Sequence, residues 1–156
     1  MSCFDLDKEG AVFLPGNVPS LKNSKVMTSK GIFSSKTVVK YLRFLGIQNY
    51  SASKKEVKEY KDPSRLNIFR VICNTLIKEP IYPVLIYTHF VRDSKRKCDF
   101  NNMTQILADL LTAHDFIPDD NMDCIYFVPW LIDGEFYSVD KLQPGVWMRK
   151  VNACDL

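Results

Sequence analysis

Apolar residues recur three and four positions apart in some stretches of the chain and cluster or alternate in others. In KTVVKYLRFL, residues 36–45, they fall at helical spacing and stop at Gly46, where a left-handed cap is easy. Met103, Ile106, Leu107, Leu110 and Leu111 repeat that spacing and predict a helix over 101–114, closed by Phe116, Ile117 and Pro118. PSRLNIFRVICNTLIK reads as a third helix, with Pro63 in its first turn and its end before Pro80. Strand signals lie in AVFLPG at 11–16 and in YPVLIYTHFVR, which is rich in β-branched and aromatic residues. They recur in CIYFVPWLIDGEFYSV, where Asp133 and Gly134 predict a hairpin turn between two strands, and in GVWMRKV. The loop NVPSLKNSK follows the first strand, and IQNYSASKKEVKEYKD reads as a mobile or partly helical connection. Helices and strands interleave without a repeat. The expectation is one α+β domain over residues 1–156, with helices packed on a small mixed sheet.

Composition narrows the class. At 46% apolar and 12% aromatic residues, the chain has enough material for a buried core and does not resemble a disordered polymer. There is no apolar run of membrane-spanning length, and MSCFDLDKEG is too acidic for a signal peptide, so a cytoplasmic protein is expected. The five cysteines are odd in number and widely spaced, which excludes a complete disulfide framework and offers no CxxC zinc motif.

A net charge of +3 conceals an uneven distribution. Between Lys22 and Lys61 the bases include Lys22, Lys25, Lys30, Lys36, Lys40 and Arg43, opposed only by Glu56 and Glu59. Arg92, Lys95, Arg96 and Lys97 form a second basic run. From Asp99 to Asp140 there is no Lys or Arg, while Asp99, Asp109, Asp115, Asp119, Asp120 and Asp123 accumulate. Basic surface beside an acidic pocket suits a polyanion held over bound cations, although each charge run can equally be a solvated face.

The acidic stretch has a pattern of its own. On a helix over 101–114, Asn102, Gln105 and Asp109 share a polar stripe that borders the apolar face. Asp99 stands just before that helix, Asp119 and Asp120 just after it. Carboxylates crowded together repel, and hard divalent ions, which take carboxylate and amide oxygens, offset the repulsion. The structural alternatives remain open: Asp99 or Asn101 as a helix cap, Asp119 and Asp120 as turn formers. His89 and His114 read as packing residues rather than ligands.

DFNN, the helix carrying Gln105 and Asp109, and FIPDD together resemble the metal-binding core of the RusA-type Holliday-junction resolvases. VPSLKNS resembles that family's upstream Pro-Ser-x-x-Asn element, and SSKTVVKYLRFL stands where its first helix begins. The resemblance implies a homodimeric α+β nuclease, of the phage type, that nicks four-way DNA junctions or related branched DNA with Mg²⁺, Mn²⁺ being an alternative. It implies the cytoplasm of a bacterial host, with no small-molecule cofactor and no membrane partner. Carried across by position, it implies Asp99, Asn101 and Asp120 as metal ligands, Asp119, Asn102 and Gln105 as further catalytic positions, and Asn23 as the upstream asparagine. Lys22, Lys25, Lys30, Lys95, Arg96 and Lys97 are the expected nucleic-acid contacts.

This chain departs from the family pattern twice. Asn101 stands where the family has a second Asp, and Gln105 stands where it has Lys. An amide oxygen can ligate Mg²⁺ without adding negative charge, and an amide N–H₂ can donate a hydrogen bond without adding positive charge. The expectation is therefore a metal-dependent endonuclease, the alternative a junction-binding protein of the same fold with impaired catalysis. A nuclease acting on flaps or other branched DNA is a third reading. One of Lys95, Arg96 and Lys97 is the expected substitute for the missing lysine.

Overall fold

The computed structural model describes residues 10–21, 25–28 and 31–151, the short stretches within 25–34 by their backbone alone. In chain order these are β1 (Val12–Pro15), β2 (Lys25–Thr28), β3 (Gly31–Ser34), α1 (Lys36–Leu45), β4 (Ile47–Ser51) and β5 (Glu56–Glu59). There follow α2 (Ile68–Leu76), β6 (Val84–Arg92), α3 (Phe100–Ala113), β7 (Ile125–Pro129), β8 (Tyr137–Val139) and β9 (Gly145–Val151). The main sheet runs β1-β9-β6-β7, with β8 also paired to β6, and is mixed. β9 lies antiparallel between β1 and β6, whereas β7 lies parallel to β6 with Ile86 opposite Phe127. Parallel neighbours need a crossover, and α3 with the loop after it supplies one.

The expected mixed α+β architecture is present. β6 is buried along most of its length, as its β-branched and aromatic run predicts for a central strand. Leu14, Ile86, Val146 and Met148 on one face of the sheet meet Phe69 and Cys73 of α2 and Ile106, Leu107, Leu110 and Leu111 of α3. Leu107 and Leu110 are fully buried, so truncating either to Ala would cost about 3 kcal/mol. On the other face Trp130 packs with Ala11 and Ile132, flanked by Tyr87 and Trp147. The Arg149 guanidinium lies 5.0 Å from the Trp130 ring, and Phe13 stacks obliquely on Trp147 at 4.9 Å. These tryptophans serve packing.

Local chemistry sets the helix ends. Ser35 caps α1 by accepting from the Val38 N–H, and Gly46 ends it at φ 81° with its N–H donating to the Arg43 carbonyl. A Cβ at Gly46 would lie 2.0 Å from the Leu66 carbonyl oxygen, so no other residue fits without moving backbone.

Three expectations need correction. IQNYSASKKEVKEYKD is not a partly helical connection: β4 and β5 pair as an antiparallel hairpin across a turn at 52–55. A register shift between Ile47 and Asn49 breaks its alternation, and most of its residues face solvent, which hides the strand pattern. α2 begins at Ile68 rather than at Pro63, because the Asp62 carboxylate accepts from the Ser64 N–H and hydroxyl to form a separate turn, and Asn67 is the cap. The Asp133–Gly134 turn does form, both residues having positive φ, but it closes only the Ile132–Glu135 bridge. β7 and β8 are not partners; both run parallel to β6, along successive parts of the same strand. β2 and β3, over a stretch for which the sequence carried no assignment, pair antiparallel with Lys25 opposite Ser34. No helix among the described residues is long and apolar enough to cross a membrane.

Candidate metal and nucleic-acid site

The site is arranged along α3. At its start Asp99 is the cap, its carboxylate accepting from the Asn101 N–H at 2.9 Å. An ionised cap beside exposed N–H groups also gains from the helix dipole. The basic loop leading to Asp99 is tied back where Arg92 Nη1 donates to the Arg96 carbonyl, and the Asp93 N–H donates to Asn17 Oδ1 at 3.2 Å. The Leu21 N–H donates to the Asn102 carbonyl at 3.0 Å, fixing the upstream loop against the first turns of α3. Lys22, Asn23 and Lys30 lie outside the described residues, and Lys25 is described only as backbone of β2.

Further along α3, Gln105 joins two carboxylates. Its Nε2 donates to Asp109 Oδ1 at 3.0 Å and to Asp120 Oδ2 at 3.2 Å. Gln105 and Asp109 are one helical turn apart on the same face, as the polar stripe predicts, and the loop after α3 folds back to bring Asp120 to them. One neutral amide therefore sits where two like charges converge. The adjacent Asp119 accepts from the Asp120 N–H at 2.8 Å, and this bond, helped by Asn121 and Lys55, holds its exposed carboxyl below the usual range. Asp119 is ionised at neutral pH.

The β4–β5 hairpin supplies two neighbours that sequence reasoning missed. Tyr50 is half-buried near Asp109; burial first, and then that carboxylate, push its hydroxyl up to about 12. It remains a protonated phenol. Lys55, at the hairpin turn, donates to Asp115 at 3.1 Å and to the Ile117 carbonyl at 3.2 Å. The cation beside the acidic loop is thus Lys55, sixty positions before its partner, and no local spacing could have announced it.

Lys95, Arg96 and Lys97 are placed elsewhere. With Arg92 they line a cavity of about 750 Å³ at the entry to α3, whose other walls are largely aromatic. Of the expected ligands, Asp120 meets Gln105, which also bonds Asp109, whereas Asp99 is engaged in capping and Asn101 is exposed one turn before Gln105. Among the described residues no three His, Cys, Asp or Glu side chains come together as a metal-holding group.

No family model matches the chain, and no curated protein matches it. The functional reading therefore rests on the residues.

The donors present do fit a hard cation. Carboxylate and amide oxygens are what Mg²⁺ takes, and it commonly binds through one or two protein carboxylates, completing its shell with water and substrate phosphate. The pair Asp109 and Asp120 meets that requirement without a third carboxylate. The histidines do not compete as ligands. His114 is buried, its Nδ1–H donating to the Leu110 carbonyl at 2.6 Å while Nε2 accepts from Asn67 at 2.9 Å. His89 bonds the Trp130 carbonyl and the Ser138 hydroxyl. Burial holds both below the ordinary histidine range, so both are neutral packing residues, as their sequence positions suggest.

Proposed function

We propose that the protein is a Mg²⁺-dependent endodeoxyribonuclease that nicks branched DNA, four-way junctions first among them. The observation that carries the reading is the Gln105 amide held between Asp109 and Asp120, on a helix entered from a basic loop. Two converging carboxylates with no ammonium between them form a site that gains from a divalent cation.

In this reading Asp109 and Asp120, joined through Gln105, hold the ion, while Asp99 stays at the helix start as its cap and Asn101 is not among the ligands. Bound Mg²⁺ would supply charge stabilisation at the attacked phosphate and a more acidic water. The chain's own groups do the rest. Gln105 orients the two carboxylates, and its N–H₂ can turn to a phosphate oxygen when an ion takes over its acceptors. Asp119, held ionised by the Asp120 N–H, keeps a negative charge beside the ion site at all pH values near neutral. Lys55 limits the repulsion within the loop. Lys95, Arg96 and Lys97, with the upstream Lys22, Asn23, Lys25 and Lys30, contact backbone phosphates and give no base readout. Two symmetric strands call for two sites, hence a homodimer.

One observation favours the second reading, a junction-binding protein that no longer cuts. The Gln105 amide satisfies both carboxylates without any ion. Incubating the protein with a labelled four-way junction and a linear duplex, each with Mg²⁺, Mn²⁺ or chelator, separates the two. Paired nicks that need the metal and the branch support the nuclease. Tight junction binding without nicks supports the binding protein, and cutting of every branched substrate at similar rates supports a general structure-selective nuclease.

A further inference from the structure

The cavity at the entry to α3 combines features that backbone contacts alone do not need. Its volume is about 750 Å³, and Phe90, Phe100, Phe136 and Tyr137 all contribute to its walls. Phe136 is 60% exposed and Tyr137 45% exposed, costly for large apolar rings that could have packed against the sheet. The charged lining residues are all basic, Arg92, Lys95, Arg96 and Lys97. Arg92 Nε is shut off from solvent without a hydrogen-bond partner, although its Nη1 bonds the Arg96 carbonyl. A buried donor left unmade costs about 1–3 kcal/mol.

We propose that this cavity receives an unpaired nucleobase of a DNA strand, stacked on Phe136 and Tyr137, with its phosphates on the basic rim. The inference rests on the nuclease or junction-binding reading and goes beyond it, assigning a base pocket where that reading has only phosphate contacts. Aromatic faces inside a basic groove are how proteins hold single strands, because every base offers a π-face and every linkage a negative charge. Branched DNA supplies such bases where its arms meet. The same groove suits a second copy of the chain poorly: an isologous contact there would set the four cations against their own copies. Cys98 also lines the cavity, and Asp99 follows it directly, so a base seated here brings its strand to the first turn of α3.

The test uses metal-free protein and a short oligothymidylate carrying one 5-iodouracil, with a duplex of the same length as reference. Irradiation is expected to crosslink the strand to Phe136 or Tyr137, mapped by peptide mass spectrometry. Changing both to Ala (F136A/Y137A) should weaken single-strand binding by about tenfold or more, since stacking contributes about 1–3 kcal/mol per base. Duplex affinity, and the salt dependence of both, should stay unchanged. Both rings are exposed, and an unaltered melting temperature would show the fold is kept. Crosslinks that avoid both residues would overturn the proposal, as would an equal loss of single-strand and duplex affinity. A change from dimer to monomer with single-strand affinity intact would also overturn it, assigning the cavity to self-association. Because no metal or cutting is involved, failure here leaves the nicking reading untouched, and a protein that never nicks can still pass.

Discussion

The two ends of α3 differ in chemistry and in how they are held. At the start, Asp99 caps the helix beside a basic loop and an open aromatic cavity. Towards the other end, Gln105 spans Asp109 and Asp120, Tyr50 lies against the helix, and Lys55 reaches over from the β4–β5 hairpin to the loop beyond. Cations at the first end attract a polyanion from a distance, whereas carboxylates at the second repel it unless a metal intervenes. In the proposed function, one helix separates holding DNA from acting on it. Damage at each end should be separable.

The largest effect is expected at the acidic end. Asp120→Asn removes charge from the ion site while keeping a hydrogen-bond acceptor for Gln105, and should slow Mg²⁺-dependent nicking by about a hundredfold or more, corresponding to about 3 kcal/mol. Gel-shift affinity for the junction should stay within about twofold, since no phosphate-binding cation is touched. Equal loss of binding and cutting would erase the division between the ends.

The complementary change comes next. Replacing Lys95, Arg96 and Lys97 together by Ala should reduce the slope of log affinity against log salt by about 2 to 3, because each phosphate contact contributes about 0.9. Single-turnover nicking at saturating protein should hardly change. A selective loss of that rate would instead make one of the three the stand-in for the family's lysine.

A third test concerns the packing beneath each end. His114 lies against Phe69 and Phe116 at the end of α3, and His89 lies under β8, both below the ordinary value of 6.5. The unfolded chain therefore takes up protons first as the pH falls. This stabilisation is complete above 6.5 and is lost as the pH drops through the depressed folded values. Melting temperature should be level above 6.5 and decline below it, and His114→Gln should make the decline shallower. An unchanged decline would assign it to His89 or to carboxylates.

The smallest effect belongs to Lys55. Its bridge to Asp115 is solvent-exposed, so Lys55→Ala should cost less than about 1 kcal/mol, a melting shift of only a few degrees. The shift should fade at high salt. A large, salt-independent loss would mean that the Ile117 carbonyl contact, rather than charge, holds the acidic loop.

The same contrast separates what could be read from the sequence and what could not. The apolar stripe of α3, the Asn102–Gln105–Asp109 face, the α1 stop at Gly46 and the central strand β6 all follow from local periodicity and cap chemistry, and each is present. The pairing of Gln105 with both Asp109 and Asp120 was half legible: helical spacing gives the first contact, but only the fold of the loop gives the second. Tyr50 and Lys55 were hidden, because the hairpin's bulge masks its alternation and its contacts with α3 and the acidic loop span about sixty residues. The aromatic wall of the cavity was hidden for a related reason. Phe136 and Tyr137 reach Phe90 and Phe100 only because β8 returns to the same edge of β6 as β7, instead of pairing with β7 in the expected hairpin.

The central claim is that the acidic end of α3 takes up a divalent cation, and Mn²⁺ titration followed by amide NMR tests it without any DNA. Substoichiometric Mn²⁺ should broaden the amides of Gln105, Asp109 and Asp119 to Asn121 first, in the parent but not in Asp120→Asn. Broadening spread evenly over the exposed carboxylates, or identical in parent and variant, would contradict the account.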